Sequence, residues 1–321
     1  GGMKEVLKVR NNDCICRANE MVKELAAEVG AAYIDVGDDI KDEKGQLKAE
    51  YTVEGMHMYA NGYKAVLDRL LPHLLTLKYT LEWSLQPMYT NTTQYLRALA
   101  SDLVHGCRRT AADGTVIYTP DGTASYDGLW LRDFSYMVEY AGFAIPDQDI
   151  VNCIRYAVRH RRADGWMPDR VTTDGLAVYA AGIAAAPVGE ANLDNTPFLI
   201  FTVDSLSRRM DPETFLPLFT EWEADLEQGL FLLPIDENGL VYNDVQKPHS
   251  PYGFTDTIGK TGTLYMESLL YWRACRMMEH MCKTYGIKNP DHFAEAAESV
   301  ERSLSLLFDP AAGAFYAATK D

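Results

Sequence analysis

The stretch Tyr126–Tyr136, YDGLWLRDFSY, sets aromatic rings around an adjacent Arg132-Asp133 pair. A pyranose ring offers an apolar face that stacks on Trp or Tyr. Its rim of hydroxyls pairs with carboxylate and guanidinium groups held in fixed geometry. Trp130, Arg132 and Asp133 therefore form a candidate sugar-binding set. A plainer reading uses the same residues: Trp130 belongs to the core, and Arg132 pairs with Asp133 at the start of a helix, where a carboxylate is favoured by the helix dipole. The residues alone leave both readings open.

A W-x-R-D segment opening a helix, in a chain rich in helical periodicity, resembles the second helix of the six-hairpin glycosidases. These are (α/α)6 toroids that include the glucoamylases. The resemblance runs diffusely from Thr92 to the last residue. It implies that Arg132 and Asp133 grip the sugar in the subsite next to the cleaved bond and do not donate the proton.

Outward from this motif, apolar residues at helical spacing predict helices over Gln94–Cys107, Arg132–Phe143, Asp149–Arg161, Glu213–Gln228 and Thr263–Tyr285. Asn289-Pro290 opens another, since Pro is tolerated in a first turn. Asp113-Gly114 and Asp121-Gly122 predict a β-hairpin before the motif. Asp194 is expected as an N-cap before the apolar run to Leu206. In the helix from Thr263, Arg273, Arg276, Glu279 and Lys283 form one polar stripe; Glu267 falls off it, and an internal ion pair is the common reason. About seven helices are predicted where six hairpins need twelve, and Asp309–Asp321 reads as a strand pair. The resemblance then puts the general base beyond this sequence.

Two loops are too rich in chemistry for connectors. Ala163–Gly175 holds Trp166, Asp169 and Arg170, which form either a second sugar-facing cluster or a local cap and ion pair. Lys247–Gly262 holds His249, Tyr252, Asp256 and Lys260 between Pro and Gly residues, and long ordered loops in compact domains are usually functional. The six-hairpin glycosidases carry a general acid near this place, and by that resemblance Asp256 is the expected proton donor.

The first 77 residues read differently. Helical spacing from Ile15 to Val29 with Gly30 as a stop, an expected strand Ala31–Val36, and an amphipathic segment through Tyr63, Val66, Leu67 and Leu70 describe the end of an α/β layer. Between them, Glu54-Gly55-Met56-His57 followed by Asn61-Gly62-Tyr63 resembles the last block of the SGNH (GDSL-type) hydrolases, D-G-x-H-x-N-x-x-G-Y. By that resemblance His57 is the base that deprotonates a serine, and Glu54 stands where an Asp orients the imidazole. The family's serine and oxyanion blocks are not in this sequence. The expected fold is thus mainly α: an incomplete (α/α)6 toroid over 92–321, a connector over 78–91, and a small α/β remnant of an SGNH-hydrolase (flavodoxin-like) domain over 1–77. The expected function is a six-hairpin glycoside hydrolase with an attached, incomplete esterase. The alternatives are a non-catalytic carbohydrate-binding toroid, or a lyase or phosphorylase on the same fold.

Composition narrows the partners. A formal charge of -16 on 321 residues argues against a nucleic-acid partner, because no basic stripe exists that would release counterions from phosphates. The densest basic run, Arg155–Arg162, reads as a solvated helix face. Six cysteines without CxxC spacing or a His cluster predict free thiols and no metal. No cofactor motif is present, and no apolar run approaches a membrane span. An oligosaccharide or polysaccharide is the expected partner; the sequence leaves the cellular location open.

Overall fold

The protein is described from a computed structural model covering residues 12–52, 58–84, 92–123, 125–183, 186–187, 189–251 and 259–319. Glu54, His57, Tyr252 and Asp256 lie outside the described residues. The chain divides into two compact units between Thr92 and Thr93.

In the first unit, α1 (Asn12–Glu28) stops at Gly30, whose φ of 71° suits glycine; the Gly30 amide donates to Ala27 and the Ala31 amide to Ala26, a paired closure of the last turn. Its apolar stripe of Ile15, Val22, Leu25 and Val29 is exposed in this unit. The strand expected at Ala31–Val36 is not formed. A strand exists only when a neighbour takes its N–H and C=O groups, and among the described residues this unit offers isolated bridges alone, Lys41 with Leu47 and Thr52 with Met58. The second long helix, α2 (Ala60–Ser84), has its entry fixed by two residues of the quoted block. Asn61 Nδ2 donates to the Glu50 carbonyl at 2.9 Å, and a Cβ on Gly62 would lie 3.0 Å from both Cβ and O of Tyr51.

The second unit alternates helices with short strand pairs. After α3 (Thr92–Gly106), β1 (Arg108–Thr110) and β2 (Val116–Tyr118) make a hairpin that turns at Gly114, φ 87°. Asp121-Gly122 forms no second hairpin; the Asp121 carboxylate accepts from Thr123 Oγ1 and the Ser125 amide and closes a local turn. Next, β3 (Gly128–Trp130) runs directly into α4 (Leu131–Ala141), followed by α5 (Asp147–Arg159). Then come β4 (Arg170–Thr172), β5 (Ala177–Val178), β6 (Gly182–Ile183), β7 (Ala186–Pro187), α6 (Asn195–Ser207) and α7 (Pro212–Phe231). The remainder is β8 (Tyr242–Asn243), β9 (Gly262–Thr263), α8 (Tyr265–Tyr285), α9 (Asp291–Ser303), β10 (Phe308–Asp309) and β11 (Ala314–Phe315).

Six of the helices of this unit form two layers. In one, α4, α6 and α8 lie side by side; in the other, α5, α7 and α9 pack behind them. This arrangement explains α6, which is buried from Asn195 to Leu206 without an exposed face, because it is enclosed by α4, α5, α7 and α8. Aromatic side chains fill the space between layers: Phe198, Phe201, Phe215, Phe219, Trp222 and Phe293 are each at most 1% exposed. The polar stripe of α8 is realised as ion pairs, Arg273 with Glu139 and Arg276 and Lys283 with Glu279. Among the described residues no helix is long and apolar enough to cross a membrane, and no group of three His, Cys, Asp or Glu side chains is arranged to hold a metal ion.

Candidate functional site

The first-layer helices receive their chemistry from the strands and loops that lead into them. In the sheet β3-β4-β5 the register sets Gly128 opposite Thr172, Leu129 opposite Val171 and Trp130 opposite Arg170. Glycine at 128 is required by the close approach of β4, since a Cβ there would sit 2.6 Å from the Val171 carbonyl oxygen. The register puts the Arg170 guanidinium over the Trp130 ring at 5.2 Å, while Tyr126 meets the same ring edge-on at 5.2 Å. Trp130 stays half-buried, and Asp133, three residues on in the first turn of α4, is half-buried as well.

Arg132 points the other way, into the protein, and is 4% exposed. Its Nε donates to Asp194 Oδ2 at 2.8 Å, and its Nη2 donates to Asp169 Oδ1 at 3.2 Å and Asp194 Oδ1 at 3.4 Å. Asp169 accepts further from Asn192 Nδ2 at 2.7 Å and from Arg170 Nη1 at 2.7 Å, and the other end of the Arg170 fork binds the Gly182 carbonyl. Burial by itself would make Arg132 easier to deprotonate; the Asp194 and Asp169 charges overcome this and hold the guanidinium firmly charged. For Asp169, burial pushes the carboxyl up against the pull of Arg132 and Arg170. Its two oxygens together accept from three donors, two of them guanidiniums, and such charge-assisted bonds favour the ionised form. The site therefore contains two guanidiniums and two carboxylates in alternation.

Trp166, Asp169 and Arg170 do not make a cluster separate from the motif. Asp169 joins Arg132 directly. Trp166 is buried, 6% exposed, with His249 stacked on it at 4.9 Å. Burial pushes the His249 imidazole below the usual histidine range. Asp194 departs from its expected role: its side chain makes no capping bond to α6, because the two oxygens are turned to Arg132. A buried guanidinium is a stronger partner for a carboxylate than a first-turn amide.

Sequence reasoning passed over the rest of this segment, Asn192-Leu193-Asp194-Asn195. Asn192 accepts the Ala181 amide at 2.7 Å while donating to Asp169, and Asn195 Nδ2 donates to the Met167 and Tyr179 carbonyls, both at 2.9 Å. Three polar side chains at the entry to a buried helix whose first turns are largely apolar were the available signal: none faces solvent there, so each needs a buried partner.

The third first-layer helix is tied in by the same means. Asn192 pairs with Ser250 in a parallel bridge, and the buried Asn243 amide holds both ends of the following loop, accepting the His249 amide and donating to the His249 and Lys260 carbonyls. Lys260 Nζ then donates to Glu267 Oε1 at 2.8 Å in the first turn of α8, so Glu267 has the internal ion pair expected for it. An open groove of about 560 Å³ lies elsewhere, along the far end of α4 between Glu139, Tyr140, Phe143 and Arg209, and shares no residue with this network.

No protein-family model matches the sequence, and no curated protein matches it. Solved structures do. The chain is similar to a rhamnosidase from Klebsiella oxytoca with rhamnose bound, at 15% identity and a TM-score of 0.50 over 71% of this chain and 42% of that one. It is similar to a GH63 mannosylglycerate hydrolase from Thermus thermophilus in complex with glucose, at 13% identity and a TM-score of 0.50 over 69% of this chain and 67% of that one. A conserved uncharacterized protein from the same organism matches at 15% identity and a TM-score of 0.51, over 69% and 65% of the two chains. The chain thus spans 42% of the first of these structures and about two thirds of the others. At such identities the likeness is one of fold: a mainly helical, toroid-like arrangement that two sugar-acting enzymes also have.

The buried network carries a direct stability expectation. Asp194→Ala leaves Arg132 short of its main counter-charge in the interior, and loss of one partner of a buried pair costs about 3–5 kcal/mol. Urea unfolding should show a lower midpoint at unchanged slope; a midpoint equal to the parent's would mean that Arg132 is not held through Asp194.

Proposed function

We propose that this chain is part of a glycoside hydrolase of the six-hairpin type and that its sugar subsite lies at Trp130 and Asp133. The observation that carries the reading is the contrast within the W-x-R-D motif. Arg132 is turned inward and braced by two carboxylates, while Trp130 and Asp133 on either side of it remain partly accessible, one as a stacking face and one as an acceptor for hydroxyls. Such a subsite binds an apolar ring face and its polar rim together. The fold likeness to a rhamnosidase and to a mannosylglycerate hydrolase supports the same class. Arg132, Asp169 and Arg170 contribute by fixing the position of Trp130, and Trp166 by supporting the loop that carries Asp169.

Asp256 is proposed as the proton donor to the glycosidic oxygen. Support comes from its sequence position between His249 and Lys260, two residues whose carbonyls Asn243 holds, shortly before the third first-layer helix. For the first unit we propose descent from an SGNH-type esterase without esterase turnover, on the strength of the Glu54–His57 block and its continuation in Asn61 and Gly62, whose contacts fix the start of α2.

Three measurements test these assignments. Calorimetric titration of Asp133→Asn with a sugar that binds the parent should show a loss of about 1.5–3 kcal/mol, the size of a charge-assisted hydrogen bond; equal affinity would return Asp133 to a structural role. In a preparation that turns over glycosides, Asp256→Asn should lose roughly two to four orders of magnitude on an ordinary disaccharide and much less on a glycoside with an activated leaving group. Equal loss on both would make Asp256 a folding or binding residue. Aryl acetates should be hydrolysed no faster than without protein, and hydrolysis abolished in His57→Ala would overturn the reading of the first unit.

A further inference from the structure

The cations of the site neighbourhood invite a different reading, because Arg132, Arg170 and Lys260 are the residues that a phosphate or a sugar carboxylate would use. The structure shows what each one touches. Arg132 is matched by Asp194 and Asp169, Arg170 by Asp169 and the Gly182 carbonyl, and Lys260 by Glu267. Three cations therefore meet three carboxylates. These are no loose surface pairs: the side chains of Asp169, Asp194 and Glu267 are each at most 3% exposed and those of Arg132, Arg170 and Lys260 at most 17%. Nearby on the surface, Arg162 is matched by Asp164 and Lys247 by Glu190. An anion entering beside Trp130 would meet guanidiniums that protein carboxylates already hold, and it would have to approach Asp133 and Asp169 as well. Like charges brought together in a partly dry site are a strong element of discrimination.

We infer that the subsite at Trp130 and Asp133, whose neighbouring cations are compensated by buried carboxylates, selects an uncharged sugar unit, discriminating against uronates, sugar phosphates and inorganic phosphate. The inference rests on the glycosidase reading for its sugar and on the ion-pair geometry for its charge. It separates hydrolysis of a neutral glycoside from phosphorolysis, which needs a phosphate held beside the sugar.

The test is a set of titrations of the whole chain followed by calorimetry and by the indole N–H resonance of Trp130, with glucose and rhamnose as neutral probes and glucuronate and inorganic phosphate as anionic ones. Glucose and glucuronate differ only by a hydroxymethyl against a carboxylate. A neutral sugar should titrate with a shift at Trp130, glucuronate should bind at least about tenfold more weakly than glucose, and phosphate should not shift Trp130. Asp194→Asn removes one negative charge and should create a phosphate-dependent shift at Trp130; Asp169→Asn, which releases the Arg170 guanidinium that lies over Trp130, is the alternative where Asp194→Asn does not fold. Saturable phosphate binding at Trp130 in the parent, glucuronate bound as tightly as glucose, or a folded variant without any gain in phosphate binding would overturn the charge-balance inference. Failure of both neutral sugars to bind, with phosphate gained in Asp194→Asn, would instead sink the sugar reading and leave the charge balance standing.

Discussion

The guanidinium of Arg132 between Asp194 and Asp169 is the interaction on which this site depends. A charge 4% exposed is tolerable only if its donors are taken by acceptors in fixed positions, and the acceptors must come from elsewhere in the chain. Asp194 lies 62 residues away and Asp169 lies 37 residues away, so the pairing joins the start of α4 to the start of α6 and to the strand that faces β3. Replacing such a group by hydrocarbon can stabilise a protein. Its value here is geometric: it decides which side chain of the motif faces inward and which remain accessible.

From that bracing the neighbouring features follow. Asp169 can hold Arg132 only if β4 is in register with β3, and the register requires Gly128 because the strands approach too closely there for a Cβ. The same register lays Arg170 across Trp130, the ring of the proposed subsite. Asn192 and Asn195 then join the loop before α6 to Asp169, Met167 and Tyr179, and Asn243 continues the ties toward α8. Three helix starts are connected by buried amides and carboxylates. A network of this kind is favourable when its members are satisfied and costly when one is lost.

The alternation of charge also limits what the site can accept. Guanidiniums are common ligands of anions, but a guanidinium whose fork is filled by two carboxylates is a structural group first. Trp166 is likewise nearly buried, with His249 covering one face of it. Trp130 and Asp133 remain partly accessible, and the proposed sugar subsite is built on that pair.

Helix positions in the second unit were legible in the sequence because a 3.6-residue apolar period records burial on one face, and the seven α-helices among the described residues of that unit lie close to where the spacing put them. The hairpin at Gly114, the strand pair after Phe308 and the need of Glu267 for an internal partner were legible for similarly local reasons. The motif Tyr126–Tyr136 lies where the structure brings aromatic and charged groups together. The strand predicted at Ala31–Val36 did not form, because a strand is decided by a neighbour that local spacing cannot supply. Partner choice was equally hidden. Arg132 stands beside Asp133 in the sequence yet pairs with Asp194 and Asp169, and Asp194 looks like a helix cap yet serves as a counter-ion. Only the packing of α4 against α6 and of β3 against β4 brings those groups within hydrogen-bond distance, since side-chain pairing across 37 and 62 residues depends on tertiary geometry that no local pattern encodes.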